Sequence, residues 1–183
     1  VGCGTGLLSV FAAQAGAAVV YAVDSEGFCV EMTRKIAAAN GVESIVKPVL
    51  GKIQEVELPS KVDIIISEWM GYFLLYESML EAVLAAKARF LEPHGVLLPS
   101  HVELYVAPFT DVRMMAERRR FWSDIGGVDM SALLPEVMEE FAAEPRIEGL
   151  TYDQLLCEPI LLWRYDFQQC CEPQHRNIQT KAS

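Results

Sequence analysis

The sequence predicts an α/β fold, a parallel sheet with helices on both faces, followed by the start of a second region. Strand-like apolar runs alternate with helical segments through the first hundred residues, a glycine-rich turn occupies residues 2–6, and the pattern changes at Pro99. With 183 residues, 52% of them hydrophobic, the chain can bury a core, which excludes a disordered protein. We therefore expect two domains, at residues 1–99 and 100–183.

Short Val- and Ile-rich runs in the first region predict buried strands, and longer segments that end at Gly16 or at Asn40-Gly41 predict helices. The predicted elements are, in order, helix 7–15, strand 18–23, helix 26–39, strand 45–50, strand 62–67, helix 76–91, a turn at 93–95 and a strand that begins at 96–98.

The second region predicts fewer regular elements. A strand is expected at 102–106, a charged helical segment at about 111–146, a strand at 160–167 and a frayed polar tail at 172–183. Because this region is too short to close a core of its own, we expect it to be part of a larger domain.

The composition of the chain argues against several classes of function. The net charge of −10 argues against a direct nucleic-acid binder and is compatible with a basic partner. No apolar run reaches the length of a membrane span, so no membrane association is expected. Five irregularly spaced cysteines indicate reduced thiols in the cytoplasm or nucleus. A metal site is disfavoured because no Cys-x-x-Cys pair occurs. Its imaginable ligands would be Cys157, Cys170, Cys171 and His175.

The glycine turn has the spacing Gly-x-Gly-x-Gly, formed by Gly2, Gly4 and Gly6. It is neither the dinucleotide pattern Gly-x-Gly-x-x-Gly nor a P-loop. Asp24 ends the next strand, where its carboxylate can accept hydrogen bonds from both hydroxyls of a ribose. Two alternatives stay open: a purely structural turn, and an Asp24 that caps the helix beginning near Glu26. Together these residues fit a nucleoside cofactor without a pyrophosphate, with S-adenosylmethionine as the candidate.

Two glutamates flank a loop after the strand at 62–67. Glu68 stands at the carboxyl edge of the predicted sheet, where open α/β folds bind ligands, and Glu77 follows nine residues later. The loop between them can return both carboxylates to one pocket. Alternatively, Glu77 complements a helix dipole and Glu68 is simply solvated.

Several segments closely resemble the catalytic region of protein arginine N-methyltransferases, over roughly residues 1–170. Two of them, Phe121-Trp122 and residues 128–131, resemble the dimerisation arm of that family. The most specific is the Ser67-Glu68-Trp69-Met70-Gly71-Tyr72 loop with its continuation to Leu80. The other matching segments are residues 1–6, 21–24, 51–59 and 62–63.

The resemblance implies an S-adenosylmethionine-dependent sheet of Rossmann-like type, followed by a β-barrel that carries the helical dimerisation arm. It implies transfer of methyl groups to arginines of Arg/Gly-rich proteins or histone tails, giving monomethyl and asymmetric dimethylarginine, by a homodimer when full length. The resemblance implies that Glu68 and Glu77 clamp the substrate arginine and that Met70, Tyr72 and Met79 form the pocket around it. It implies that Gly2, Gly4 and Gly6 contact the methionine end of the cofactor, that Asp24 binds its ribose, and that Ile53 and Gln54 flank its adenine.

Some features of the family do not occur in this sequence. They are the strand residues before the glycines, the N-terminal helices and a Thr-His-Trp loop late in the barrel. We therefore expect an N-terminally truncated fragment that by itself binds S-adenosylmethionine weakly or not at all. The alternative function is a catalytically incompetent fragment that keeps an interaction role. A small-molecule methyltransferase is disfavoured by the double-glutamate loop.

Overall fold

The computed structural model describes residues 1–143 and 145–167. Its α/β class agrees with the prediction. The elements are α1 (Leu7–Gln14), β1 (Val20–Asp24), α2 (Gly27–Ala39), β2 (Val46–Leu50), β3 (Val62–Ile66), α3 (Leu80–Phe90), β4 (Leu91–Leu98), β5 (His101–Val106), α4 (Val112–Ser123), α5 (Leu134–Ala143) and β6 (Ile160–Asp166), with short 3₁₀ turns at Ser131–Leu133 and Tyr152–Gln154. The predicted tail at 172–183 lies outside the described residues.

The described chain forms two compact units. The first comprises Val1–Leu104 with residues 163–167, and the second comprises Tyr105–Leu162. In the first unit, β1 pairs with β2 and β3 pairs with β4, both in parallel, as the alternation of strands and helices predicts. The domain boundary after residue 99 stays a prediction.

The parallel strands form two separate pairs within the described residues, and not the single sheet that the sequence predicts. Residues 1–3 lie between them: the Val1 amino group donates to Ile66 O at 2.9 Å, and Cys3 N–H donates to Val23 O at 3.1 Å. Away from this bridge, β1 and β3 flank an apolar cavity of about 590 Å³. No described segment lies in that space to hydrogen-bond to both strands.

The main core of the first unit lies between α3 and the β3–β4 pair. Helix α3 contributes Leu80, Val83, Ala86 and Phe90, whose spacing of three or four residues places them on one face. Trp69 packs edge-on against Phe167 with ring centroids 5.8 Å apart, and both rings are buried. Trp69 and Leu80 therefore anchor the two ends of the double-glutamate loop in the same core.

Two predicted boundaries were wrong. The helix expected from residue 76 begins at Leu80, because Ser78 adopts a left-handed backbone conformation (φ 56°) that a helix does not accept. Phe73 and Leu74, earlier in the same loop, are also left-handed (φ 51° and 67°). The strand expected from residue 96 begins at Leu91, which pairs with Val62 across an irregular register.

The charged segment predicted as helical at 111–146 contains α4 and α5, separated by a turn and a 3₁₀ turn. Gly126 and Gly127 both have positive φ in the turn. The Asp111 carboxylate caps α4 by accepting a hydrogen bond from Met114 N–H at 2.9 Å. Neither helix contains a buried residue, and Phe121 remains 60% exposed. None of the helices described here combines the length and apolarity needed to cross a membrane.

Candidate active site

A cavity of about 440 Å³ opens at the carboxyl ends of β1, β2 and β3. Parallel strands present ligand-binding loops at this edge, so the position agrees with the general rule for open α/β sheets. The predicted site residues that line the cavity are Gly2, Gly4, Asp24, Ile53, Gln54, Glu68 and Met79. Val1, Val23, Ser25, Gly51, Lys52 and Ala82 complete its walls.

The glycine turn approaches this cavity with its bare backbone. A Cβ atom built on Gly2 would lie 2.3 Å from Cε of Met79, far inside van der Waals contact. Gly2 therefore lets the turn pack against Met79, which also lines the cavity. Gly6 has a different position: it is buried, it caps α1 with φ +93°, and it does not line the cavity. Its absent side chain makes room for Thr33 of α2, whose atoms would lie 2.9–3.0 Å from a Cβ.

Thr33 fastens the glycine turn to α2. Its hydroxyl donates to Gly4 O at 3.0 Å and lies 3.3 Å from Sγ of Cys3. Burial raises the pKa of the Cys3 thiol, although the hydrogen bond with Thr33 opposes the effect. The thiol therefore stays protonated, and the turn carries no charge of its own near neutral pH.

Asp24 ends β1 with its two carboxylate oxygens in different contacts. Oδ2 accepts a hydrogen bond from Gly4 N–H at 2.9 Å, and Oδ1 accepts one from Glu26 N–H at 3.0 Å. The second contact agrees with the alternative in which Asp24 supports the start of α2. Each oxygen has further lone-pair capacity, and the residue lines the cavity, so the same carboxylate also has acceptors for ribose hydroxyls.

The segment expected at adenine is held by α3. Ile53 is buried and Gln54 is exposed, and both line the cavity. The Arg89 guanidinium donates to Ile53 O at 2.6 Å and to Val56 O at 2.8 Å. This cation fixes the loop after β2 from outside the cavity.

Glu68 is the second acidic residue that lines the cavity, in addition to Asp24. It is exposed and stands between buried Ser67 and buried Trp69, which fix its backbone. Among the side chains of the lining, those of Asp24 and Glu68 carry carboxylates and that of Lys52 carries an ammonium group. The site therefore favours ligands that carry positive charge.

Besides Gly6, three predicted site residues lie outside this lining. Glu77, Met70 and Tyr72 belong to the same loop and are exposed. Glu77 packs against the backbone of Gly71, where a Cβ would lie 2.7 Å from Cγ of the glutamate. The structure thus brings the cofactor-side residues together with Glu68, and locates Glu77 in the loop that follows.

Sequence reasoning missed several residues of the site. Gly51 and Lys52 follow β2 directly, so the carboxyl-edge rule that selected Asp24 and Glu68 also selects them. Thr33 and Arg89 support the site from helices, and no motif in the sequence marks them. Of the imagined metal ligands, Cys170, Cys171 and His175 lie outside the described residues, and the described part of the chain holds no cluster of metal-binding side chains.

Comparisons with known proteins agree with the α/β fold. A family model described as "Methyltransferase domain" matches residues 1–95. A relative from Oryza sativa subsp. indica, "Probable protein arginine N-methyltransferase 6.1", is 44% identical over 181 residues, which cover 99% of this chain and 48% of that protein. The chain thus spans about half the length of the curated relatives it matches.

Solved structures are similar as well. The structure "Trypanosoma brucei PRMT1 enzyme-prozyme heterotetrameric complex with AdoHcy" matches 93% of this chain and 52% of its own, with a TM-score of 0.72 and 38% identity. A crystal structure of Arabidopsis thaliana protein arginine methyltransferase 10 matches 95% of this chain and 54% of its own, with a TM-score of 0.74 and 34% identity. The chain belongs to the methyltransferase domain family, and its resemblance to protein arginine N-methyltransferases is confirmed.

Proposed function

We propose that the complete gene product containing residues 1–183 transfers methyl groups from S-adenosylmethionine to arginine side chains of proteins. The observation that carries the proposal is the 440 Å³ cavity, in which the glycine turn, Asp24 and the Ile53–Gln54 segment share one lining with Glu68. A cofactor site and an acidic substrate group therefore meet in a single space.

The lining residues fit S-adenosylmethionine at both ends. Asp24 offers carboxylate oxygens to ribose hydroxyls, and the exposed Gln54 side chain beside buried Ile53 offers amide groups to the adenine edge. Gly2 and Gly4 present bare backbone to the methionine end. When bound, the cofactor supplies an electrophilic methyl group on a positively charged sulfonium, which the excess of acidic groups accommodates.

The two glutamates increase the low nucleophilicity of the arginine side chain. A guanidinium stays protonated near neutral pH, and its charge is delocalised over three nitrogens. Carboxylates of Glu68 and Glu77 accept N–H hydrogen bonds from it, which draws positive charge towards the nitrogens they hold. The remaining nitrogen becomes more nucleophilic and is held toward the methyl group. Transfer would form the nitrogen–carbon bond as the bond between that carbon and the sulfonium sulfur breaks, which would leave neutral S-adenosylhomocysteine, and the methylated guanidinium would release one proton to water. Positioning and preorganised charge supply the rate.

The finer features of the proposal rest on the resemblance. We include monomethyl and asymmetric dimethylarginine as products because Trp69-Met70-Gly71-Tyr72 is similar to enzymes that make them. Arg/Gly-rich proteins or histone tails are the proposed substrates, and the acidic site supports a cationic peptide. The free thiols of Cys3, Cys29 and Cys157 support a location in the cytoplasm or nucleus.

Homodimerisation is proposed through the arm at about 111–146. The exposed ring of Phe121 and the absence of buried residues from α4 and α5 support a partner-binding role for this arm. The same observation favours the second candidate function, an interaction module without catalysis. Calorimetric titration of residues 1–183 with S-adenosylmethionine tests the expected weak binding by this chain, which micromolar affinity would contradict.

The decisive test of catalysis is Glu77→Gln in the complete gene product. We expect kcat/KM for an arginine peptide to fall about a hundredfold or more, because a neutral amide neither pairs with the guanidinium nor polarises it. The affinity for S-adenosylmethionine should change less than about twofold, since Glu77 does not line the cavity. Methyl transfer is measured with a radiolabelled methyl group and an Arg/Gly-rich peptide.

Glu92→Gln is the matched control, because Glu92 is an exposed glutamate on β4 and the substitution is chemically identical. It should leave turnover unchanged. Normal turnover in Glu77→Gln would show that the clamp assignment is wrong.

A further inference from the structure

The loop between β3 and α3 folds back on itself around Gly71. Gly71 N–H donates to Leu74 O at 3.3 Å, and the two residues form an isolated antiparallel bridge. Phe73 and Leu74 adopt left-handed conformations within this reversal. The reversal returns the chain so that Glu77 lies directly against Gly71.

The contact between Gly71 and Glu77 leaves no space for a side chain on the glycine. A Cβ built at residue 71 would lie 2.7 Å from Cγ, 2.9 Å from the backbone nitrogen and 3.0 Å from Cβ of Glu77. The two closest atoms are both nearer than 3.0 Å, a separation that real Cβ atoms essentially never show. Because one of the crowded atoms is backbone, rotation of the Glu77 side chain alone does not relieve the overlap.

The requirement at residue 71 is one of space and not of backbone conformation. Gly71 is not among the glycines with positive φ, so its φ lies outside the left-handed region that disfavours alanine. Any effect of adding one methyl group here therefore passes through the neighbour that it displaces. That neighbour is Glu77.

We propose that Gly71 is a positioning residue that fixes where the Glu77 carboxylate stands. The inference rests on the proposed function, in which Glu77 binds the substrate guanidinium. A methyl group at residue 71 pushes the glutamate away while its charge stays intact. Orientation errors of about one ångström reduce catalysis by about a hundredfold, so a small displacement is enough to be measured.

The test is Gly71→Ala in the complete gene product, compared with Gly149→Ala. Gly149 is the matched control because nothing lies within 4 Å of its built Cβ and its φ is not positive. Two quantities are measured by calorimetry: the affinity for an arginine peptide in the presence of S-adenosylhomocysteine, and the affinity for S-adenosylhomocysteine alone. The same variants are assayed for kcat and KM, and their melting temperatures are recorded.

For Gly71→Ala we expect peptide affinity and kcat/KM to fall about tenfold or more, with cofactor affinity within about twofold of the parent. Gly149→Ala should match the parent in all measurements. In a double-mutant cycle, Gly71→Ala should further weaken peptide binding in a Glu77→Gln background by less than about twofold, because the group it positions has already lost its charge.

Three outcomes would overturn the proposal. These are unchanged peptide affinity in Gly71→Ala, equal losses of peptide and cofactor affinity, and additive losses in the cycle. If Gly71→Ala lowers the melting temperature without weakening peptide binding, its role is structural only. The proposed function fails separately: normal turnover in Glu77→Gln refutes the clamp, whereas a crippled Glu77→Gln beside a normal Gly71→Ala refutes only this inference.

Discussion

Arg89 of α3 allows a quantitative prediction about how the cofactor wall is supported. Its guanidinium donates to two carbonyl oxygens of the loop after β2, at Ile53 and Val56, and also reaches the Glu57 carboxylate at 2.9 Å. Arg89→Ala removes every one of these bonds. Water must then supply the hydrogen bonds to the carbonyl oxygens of Ile53 and Val56, and it has to pass the buried side chain of Ile53.

The magnitude follows from the exposure of each partner. A hydrogen bond from a charged donor contributes about 1.5–3 kcal/mol. Water replaces part of each bond at this half-buried site, so we take the lower value for both carbonyls. The Glu57 side chain is 86% exposed, and its ion pair adds about 0.5 kcal/mol or less. Arg89→Ala should therefore lower the free energy of unfolding by about 3 kcal/mol.

The assay is urea unfolding of the complete gene product, followed by tryptophan fluorescence, together with calorimetric binding of S-adenosylhomocysteine. Glu57→Ala removes only the exposed ion pair and should cost about 0.5 kcal/mol or less. Binding should weaken in Arg89→Ala and not in Glu57→Ala, because Ile53 lines the cavity. Equal destabilisation by the two substitutions would refute the argument that the carbonyl contacts dominate.

Two further predictions concern the glycine turn. Gly6→Ala and Gly16→Ala both place a side chain at positive φ, but of the two positions only Gly6 is crowded, by Thr33. Gly6→Ala should therefore lower the melting temperature clearly more than Gly16→Ala. Equal shifts in melting temperature would contradict the packing role of Gly6. The raised pKa of the Cys3 thiol keeps it protonated, so iodoacetamide should modify Cys3 more slowly at pH 8 than exposed Cys157. The rate of modification at Cys3 should rise only at higher pH. Peptide mass mapping that finds Cys3 modified first would contradict this prediction.

The sequence was sufficient for the class and order of the elements because its signals there are local. Strands β1 and β3 are rich in Val and Ile, and the parallel pairing of β1 with β2 follows from the helix between them. The break between the two strand pairs was not predictable from these runs. Whether β1 and β3 bond to each other depends on which segment stands between them, and strand propensity carries no information about that neighbour.

The loop from 67 to 79 shows where local signals mislead. The apolar periodicity of α3 continues backwards far enough to suggest a helix from residue 76. The left-handed conformation of Ser78 overrides that preference, and a serine does not predict positive φ as a glycine or asparagine does. Buried anchors at Trp69 and Leu80 fix the ends of the loop, so the chain between them takes the conformation that connects those ends.

The two glutamates of the site differed in predictability for the same reason. Glu68 follows β3 directly and is fixed between two buried residues, so its strand position alone locates it at the edge of the cavity. Glu77 follows exposed Tyr76 and takes its place from a contact with Gly71, which is six residues earlier in the chain. Its location is thus a property of the loop's reversal. The sequence motif shows only how many residues separate Glu68 from Glu77. The contact with Gly71 determines where the Glu77 carboxylate lies.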